Sequence, residues 1–471
     1  MPNPYAPPPR QPRVLLWTVG VLGVLFVGLV VYQKYYAGAA RFSSDVDLLA
    51  EIAGVEFLDD PPSPVAWAQW RGAKRDGVMT MPDLLREWPD EGPRRLWSRE
   101  GGEGYSSFSV AGGRAFTMIQ RPENAEAVVC LDLADGTTVW EQTFDLEKTF
   151  DYGGPRATPT LHEGRLYTTT SDGVLVCLNQ ADGKPVWRKD MKIEVGAIPP
   201  RWGFAFSPLV VGKYVYATTG GSKGRCLAAF DRETGELAWA AQDDPAGYSS
   251  PVAATLDGVD QILYLTGRRL LGVRPDTGEL LWQFVWDTKF QVNAATPLVF
   301  HAKTGTRDIS YVFISSGYVK GCALVKVASR GGEFSAKAVY ESGELCCHFS
   351  SPVRFQDHLY ATDETRDLTC LDLRTGKIAW RFAKAEGEPK GLRDRGYKRG
   401  SVVRIDDVLL VLGEDGKLGL VAADPKEYRE LAAARPFREL SWTMPVVADG
   451  RLLLRDRKRI LCLDLKKEPK R

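Results

Sequence analysis

The sequence predicts an all-β fold, an eight-bladed β-propeller of four-stranded blades preceded by a single N-terminal transmembrane helix. Three observations predict it. A unit of roughly 40–55 residues recurs along the chain, three columns of residue types keep their order within each copy, and one long uncharged apolar run stands near the N-terminus.

The first column is a turn followed by Trp. ADGTTVW ends at Trp140, ADGKPVW at Trp187, ETGELAW at Trp239, DTGELLW at Trp282 and RTGKIAW at Trp380. Asp-Gly or Thr-Gly between two strand-like runs is how a tight hairpin is written. Upstream, an alternating run carries Phe116, Tyr167, Tyr216, Tyr264, Phe313 and Tyr360, with Leu410 and Leu453 in the same place in two further copies. Further upstream stands a small or hydroxyl-bearing step, often followed by Pro: YSSF at 105–108, RATP at 156–159, AFSP at 205–208, YSSP at 248–251, AATP at 294–297, FSSP at 349–352, RGSV at 399–402 and WTMP at 442–445. Eight copies result. One twisted four-stranded sheet cannot bury both of its faces alone, so such units stack radially as blades. The fifth copy has Tyr340 in place of the closing Trp, and the seventh ends in an acidic and basic run around Leu431.

The chain ends predict how the ring closes. The last copy stops at CLDLKKEPKR without a turn or Trp, whereas RRLW at 94–97 is a closing strand without a blade. Pairing the two in one sheet removes an exposed edge.

Before the repeats, residues 1–12 are Pro-rich and read as a disordered tail. From Val14 to Tyr32 there are nineteen residues without a charge, which suits a span of the hydrocarbon core. The assignment is a signal-anchor helix over 13–33. A cleavable signal peptide is the rival, because Ala37-Gly38-Ala39 has a cleavage-site look, although the run exceeds an ordinary signal h-region. Residues 34–64 read as a juxtamembrane spacer, with a short amphipathic helix between Ser44 and Gly54 capped by Ser44 or Asp45. The propeller takes 65–471, and a second short helix is expected from Asp83 to Trp88 between Pro82 and Pro89.

Lys and Arg total 61 against 60 Asp and Glu, so no global charge draws the chain to nucleic acid. Four scattered His and no CxxC pair give no metal site. Gly220-Gly221-Ser222-Lys223-Gly224 lacks phosphate-loop spacing, and no Gly-x-Ser-x-Gly elbow occurs. The closing Trp residues read as packing between blades. Cys130, Cys177, Cys370 and Cys462 share one blade position and read as buried small apolar groups. Cys346 and Cys347 are adjacent and can form a vicinal disulfide. The column before the small-hydroxyl step reads Tyr105, Arg156, Ala205, Tyr248, Ala294, Phe349, Arg399, Trp442. If these steps begin the innermost strands, the column rings the channel mouth. Its Tyr105, Arg156, Tyr248, Phe349, Arg399 and Trp442 then either bind a partner, since aromatics and Arg dominate interaction hot spots, or plug the channel against each other.

The turn-plus-Trp unit with its CLD strand, together with WAQWRGAKRDGV at 67–78, LLREWP and GYSS, resembles the quinoprotein-like propellers, which bind pyrroloquinoline quinone (PQQ) or descend from proteins that do. The resemblance covers roughly 65–471 and implies two branches. One is similar to the outer-membrane assembly factor BamB, a non-catalytic protein-interaction scaffold. This chain departs from it in having no Cys near the apolar segment to accept a lipid. The other branch is PQQ-dependent dehydrogenases acting on alcohols or sugars. They hold the quinone between a Trp face and a vicinal disulfide, with calcium on Glu and Asn and an Asp base. Cys346-Cys347, Asn293 or Trp202 would be the counterparts here, although the cysteine pair precedes the sixth copy instead of lying in an early blade. The expectation is the first branch: a cofactor-free scaffold in a bacterial inner membrane, single-pass and facing the periplasm, that binds another protein or a surface polymer. PQQ with calcium is the alternative.

Overall fold

The computed structural model describes residues 43–58, 67–364, 367–382 and 396–467. The tail and the anchor helix expected over 13–33 lie outside the described residues, among which no helix is long and apolar enough to cross a membrane.

Eight antiparallel sheets form the eight blades. In blade 1 the strands are Ser109–Ala111, Arg114–Arg121, Ala125–Asp132 and Thr138–Asp145, paired in chain order. Blades 2 to 7 repeat that order. Blade 8 has Val446–Ala448, Arg451–Arg455 and Arg459–Asp464 from the C-terminal end and closes with Arg95–Glu100, whose Trp97 pairs with Cys462. The expected ring closure is therefore present.

The first column fastens each blade to the next. The indole of Trp140 donates to the Gln180 carbonyl at 3.1 Å, that of Trp187 to Arg232 at 2.9 Å, and that of Trp239 to Pro275 at 3.0 Å. Each acceptor belongs to the hairpin turn of the following blade. Tyr340 does the same in blade 5, its hydroxyl donating to the Leu373 carbonyl at 3.0 Å. Trp282 is the exception and bonds Gln261 within its own blade. The turn glycine is required twice over at these joints: Gly183 has φ +74, and a Cβ there would stand 2.4 Å from the Trp140 ring. Cys130, Cys177, Cys370 and Cys462 are each the cross-strand partner of a closing Trp and are fully buried, which leaves room only for a small apolar side chain.

The hydroxyl column binds the blades together around the channel. The Ser107 N–H donates to Thr158 Oγ1 (3.1 Å), Thr158 to Ser207 Oγ (2.9 Å), Ser207 to Ser250 Oγ (2.9 Å), and Thr296 to Ser351 Oγ (2.8 Å). Ser107 Oγ itself reaches the Met444 carbonyl of blade 8 at 2.8 Å. These steps satisfy backbone groups at the inner edges of the sheets, where strand pairing does not reach them.

One segment before the repeats, 67–79, threads the ring from inside. Its backbone bridges Val110 in blade 1 and Leu161 in blade 2, and Val78–Met79 pairs in parallel with Ser401–Ile405 of blade 7. Arg71 and Arg75 are both buried. Arg71 donates to the carbonyls of Ser351 (3.2 Å) and Pro352 (2.6 Å) in blade 6. Arg75 donates to Ser207 (3.0 Å) and Pro208 (2.5 Å) in blade 3 and to Pro251 (2.9 Å) in blade 4. Desolvation pushes the two guanidiniums down to about 10 and about 9, so both remain charged at neutral pH.

Three local expectations need correction. Residues 43–58 are no free spacer: Ser43–Ser44 and Glu56–Phe57 pair on the two edges of the blade 5 sheet, making it six-stranded. Between them lies the expected helix, Val46–Ala53, capped by Asp45, with Ile52 buried. The helix expected over 83–88 is absent, because its backbone serves the C-terminal end instead: the Leu85 N–H donates to the Leu465 carbonyl and the Lys467 N–H to that of Asp83. Blade 7 carries Val78–Met79 as a fifth strand.

Candidate binding site at the channel mouth

All eight residues of the column before the hydroxyl step line one cavity of about 370 Å³. Each stands two to four residues before an innermost strand, so the eightfold repeat turns one sequence position into a ring. Tyr248 is buried and the other seven are half-buried. Their rings touch but do not fill the mouth. Trp442 stands at the centre of one wall, with ring centres 5.6 Å from Tyr105, 4.9 Å from Phe349 and 5.9 Å from Tyr152. Trp202 and Tyr248 form a second wall, 5.9 Å apart. Trp70 of the threaded segment also lines the cavity, its indole donating to Thr296 Oγ1 at 2.9 Å.

The two Arg of the ring are held differently. Arg399 Nε lies 3.0 Å from Glu414 Oε2, which also accepts from the Trp442 indole at 2.9 Å. Arg156 has no ion pair among the described residues. It lies 5.6 Å over the Tyr105 ring and donates only to the carbonyls of Gly154, Asp151 and Tyr152. Burial pulls its guanidinium below the usual range. The Tyr105 hydroxyl, also in the wall, is buried without a hydrogen-bond partner among the described residues, and desolvation raises its proton affinity.

Behind Arg156 lies a buried acid. Glu126 accepts from the Ser171 N–H at 3.0 Å, while its second oxygen has no partner. Desolvation pushes its carboxyl up to about 7. The folded value exceeds the unfolded one, so the folded state holds the proton more tightly and stability falls as pH rises from about 4.5 to 7. We expect Glu126→Gln to flatten unfolding free energy against pH across that window and to raise stability at pH 8 by on the order of 3 kcal/mol. An unchanged slope in denaturant titrations at pH 5 and pH 8 would contradict this.

Beside the mouth, Phe290 is 50 % exposed and its loop is strained. Phe290 and Gln291 have φ of 63° and 60°, and Tyr318 and Val319 have φ of 56° and 62°. Left-handed backbone costs a non-glycine residue about 1–2 kcal/mol, and here two such pairs pack together, with the Phe290 and Tyr318 rings 5.5 Å apart.

Sequence reasoning assembled the ring but missed Tyr152 and Tyr318, which reach it from the loops between and within blades. It named Trp202 only through the resemblance. The signal for Tyr152 stood in DYGGPR, four residues before Arg156.

The cysteine pair does not face the cavity. Cys347 is a buried thiol pushed up to about 12 by desolvation, and its N–H donates to Ser315 Oγ. The Cys346 N–H donates to Asp363 at 2.6 Å. No vicinal disulfide is formed here, and neither side chain is among those that line the cavity. Asn293 is likewise spent: it donates to the carbonyls of Thr266 and Trp286 and accepts from Ser316. The cavity thus offers flat aromatic faces, but no carboxylate is among its lining residues. That donor set does not fit calcium, which takes several carboxylate and carbonyl oxygens. Among the described residues no group of three or more His, Cys, Asp or Glu is placed to hold a metal ion.

A family model described as outer membrane protein assembly factor BamB matches residues 124–382. No curated protein matches the chain in sequence. Among solved structures, BamB from Moraxella catarrhalis superposes with a TM-score of 0.54 at 14 % identity, covering 79 % of this chain and 99 % of that one. A quinohemoprotein alcohol dehydrogenase from Pseudomonas putida gives 0.62 at 12 % identity, covering 91 % and 84 %. One from Comamonas testosteroni gives 0.62 at 12 %, covering 90 % and 83 %. These likenesses share the fold.

Proposed function

We propose, from the premise that this chain belongs to the PQQ-like propeller family described as outer membrane protein assembly factor BamB, that it is a non-catalytic interaction scaffold. Its apolar N-terminal segment would tether it to a bacterial inner membrane with the propeller on the periplasmic side. The channel mouth captures another protein. One observation carries this reading: a cavity walled by aromatic side chains and Arg, without carboxylates among its lining residues, beside which an exposed Phe290 stands on a strained loop. Aromatic and Arg clusters supply most of the energy in protein interfaces, and strained loops are kept where a surface is used.

The dehydrogenase alternative asks the same mouth for a carboxylate and Asn set around calcium. Glu414 and Glu364 stand nearest, but Glu414 is bonded to Arg399 and Trp442, and Glu364 lies 3.6 Å from His348. The chain therefore spends those acids on holding the wall.

The test joins two measurements. Full-length protein with Tyr248→Ala and Trp442→Ala should lose partner capture from membrane extracts by at least about tenfold while keeping its unfolding midpoint within a few degrees. Titration with PQQ and calcium should give no saturable change in absorbance or unfolding temperature. A ligand at a hundred times its dissociation constant would add about 2.7 kcal/mol, so a saturable shift would overturn the scaffold reading.

A further inference from the structure

We infer that the channel mouth takes a segment of a partner protein in which an aromatic side chain stands next to an acidic one. The inference rests on the interaction reading and names the chemistry of its partner.

The charge at the mouth selects the sign of the occupant. Arg156 lines the cavity and Arg201 lies 5.0 Å over the Trp202 ring, and neither has an ion pair among the described residues. A half-buried guanidinium served only by neutral carbonyls is a site where a carboxylate gains a charge-assisted, bidentate partner. The same two cations disfavour a cationic ligand, which aromatic walls alone would attract. The Tyr105 ring lies 5.6 Å beneath Arg156 and holds the guanidinium at the wall.

The shape selects an aromatic side chain. The cavity's 370 Å³ holds one large ring with part of its backbone, and its faces are those of Trp442 and Trp202. Offset or edge-to-face stacking against such faces is what an incoming ring prefers. A free small molecule would need nothing more. The rim argues for a polypeptide, because Phe290 stands outside the cavity, exposed, against Tyr318 of its wall and on left-handed backbone. Contacts there require a ligand that continues beyond the pocket.

The experiment uses full-length protein and end-capped Gly-Ser decapeptides with a central Phe-Glu, Phe-Gln or Ala-Glu, read by tryptophan fluorescence and calorimetry. We expect Phe-Glu to bind at least about tenfold more tightly than either control, with affinity falling as salt rises. Arg156→Gln should remove the preference for Glu over Gln while the protein still unfolds in one cooperative transition, its midpoint lowered by no more than a few degrees because two of the three carbonyls that Arg156 serves are exposed. Phe290→Ala should weaken the decapeptide but not 3-phenylpropionate. Equal affinity for Phe-Glu and Phe-Gln, or no binding up to about 1 mM, would overturn the inference. So would 3-phenylpropionate binding as tightly as the decapeptide, which would make the mouth a small-molecule site. In each case, photo-crosslinking to a partner from a probe placed at Tyr248 separates failure of this chemistry from failure of the interaction reading: crosslinking that persists leaves the scaffold standing with another occupant, and its loss removes both.

Discussion

Arg75→Ala is expected to lower the unfolding free energy by about 3–5 kcal/mol, one of the two largest effects of any single substitution in this chain. The innermost strands of blades 3 and 4 have no further strand on their channel side, and the carbonyls there need donors. Arg75 supplies them to Ser207, Pro208 and Pro251 from one planar fork, with Gln69 Oε1 holding Nε at 2.8 Å. Truncation removes the cation and leaves those carbonyls, buried in two blades, without their donor. Arg75→Lys keeps the charge but not the fork, since an ammonium is a compact point that cannot meet acceptors on two blades at once. It should recover less than half of the loss. The measurement is the urea midpoint at constant slope. A full rescue by Lys would mean that charge, and not the spread of donors, matters in the channel.

The contrast between Arg75 and the columns shows what the sequence could reveal. The turn, the aromatic and the hydroxyl step recur because each acts within one blade or between neighbours, so the same local solution is written eight times. Ring closure was legible for the same reason, as a missing strand at one end matched a spare strand at the other. Arg71 and Arg75 occur once. Their burial depends on carbonyls from blades far apart in the chain, and nothing local marks an Arg next to Gly72 or to Lys74 as interior. Residues 43–58 posed the same difficulty: Asp45 and the apolar spacing indicated the helix, but its docking on blade 5 depends on sheet edges about 250 and 300 residues away. The expected helix over 83–88 failed because its flanking Pro residues suit a short extended link as well as a helix, and the C-terminal end claims the backbone. At the mouth, the column positions were legible and the loop residues between them were not, since loops carry no repeat.

Trp97→Ala is expected to cost about 3–5 kcal/mol and to exceed the cost of Trp187→Ala. The two indoles are a matched pair. Both are 8 % exposed, both donate to a turn carbonyl of the next blade, at 3.1 Å for Leu133 and 2.9 Å for Arg232, and both pack on a turn glycine, Gly136 or Gly235. Their local losses should therefore be alike. They differ in connectivity: Trp187 joins blades that are already neighbours in sequence, whereas Trp97 sits on the strand that fastens the two ends of the propeller in one sheet. Closing that long loop costs entropy, and the contacts of Arg95–Glu100 with Arg459–Asp464 must offset it. Weakening them releases the ring at its one non-consecutive joint, so Trp97→Ala should also speed unfolding more than Trp187→Ala. Equal midpoints and equal unfolding rates for the two variants would show that closure is no weaker than any other joint, and that the ring is held instead by the threaded segment at its centre.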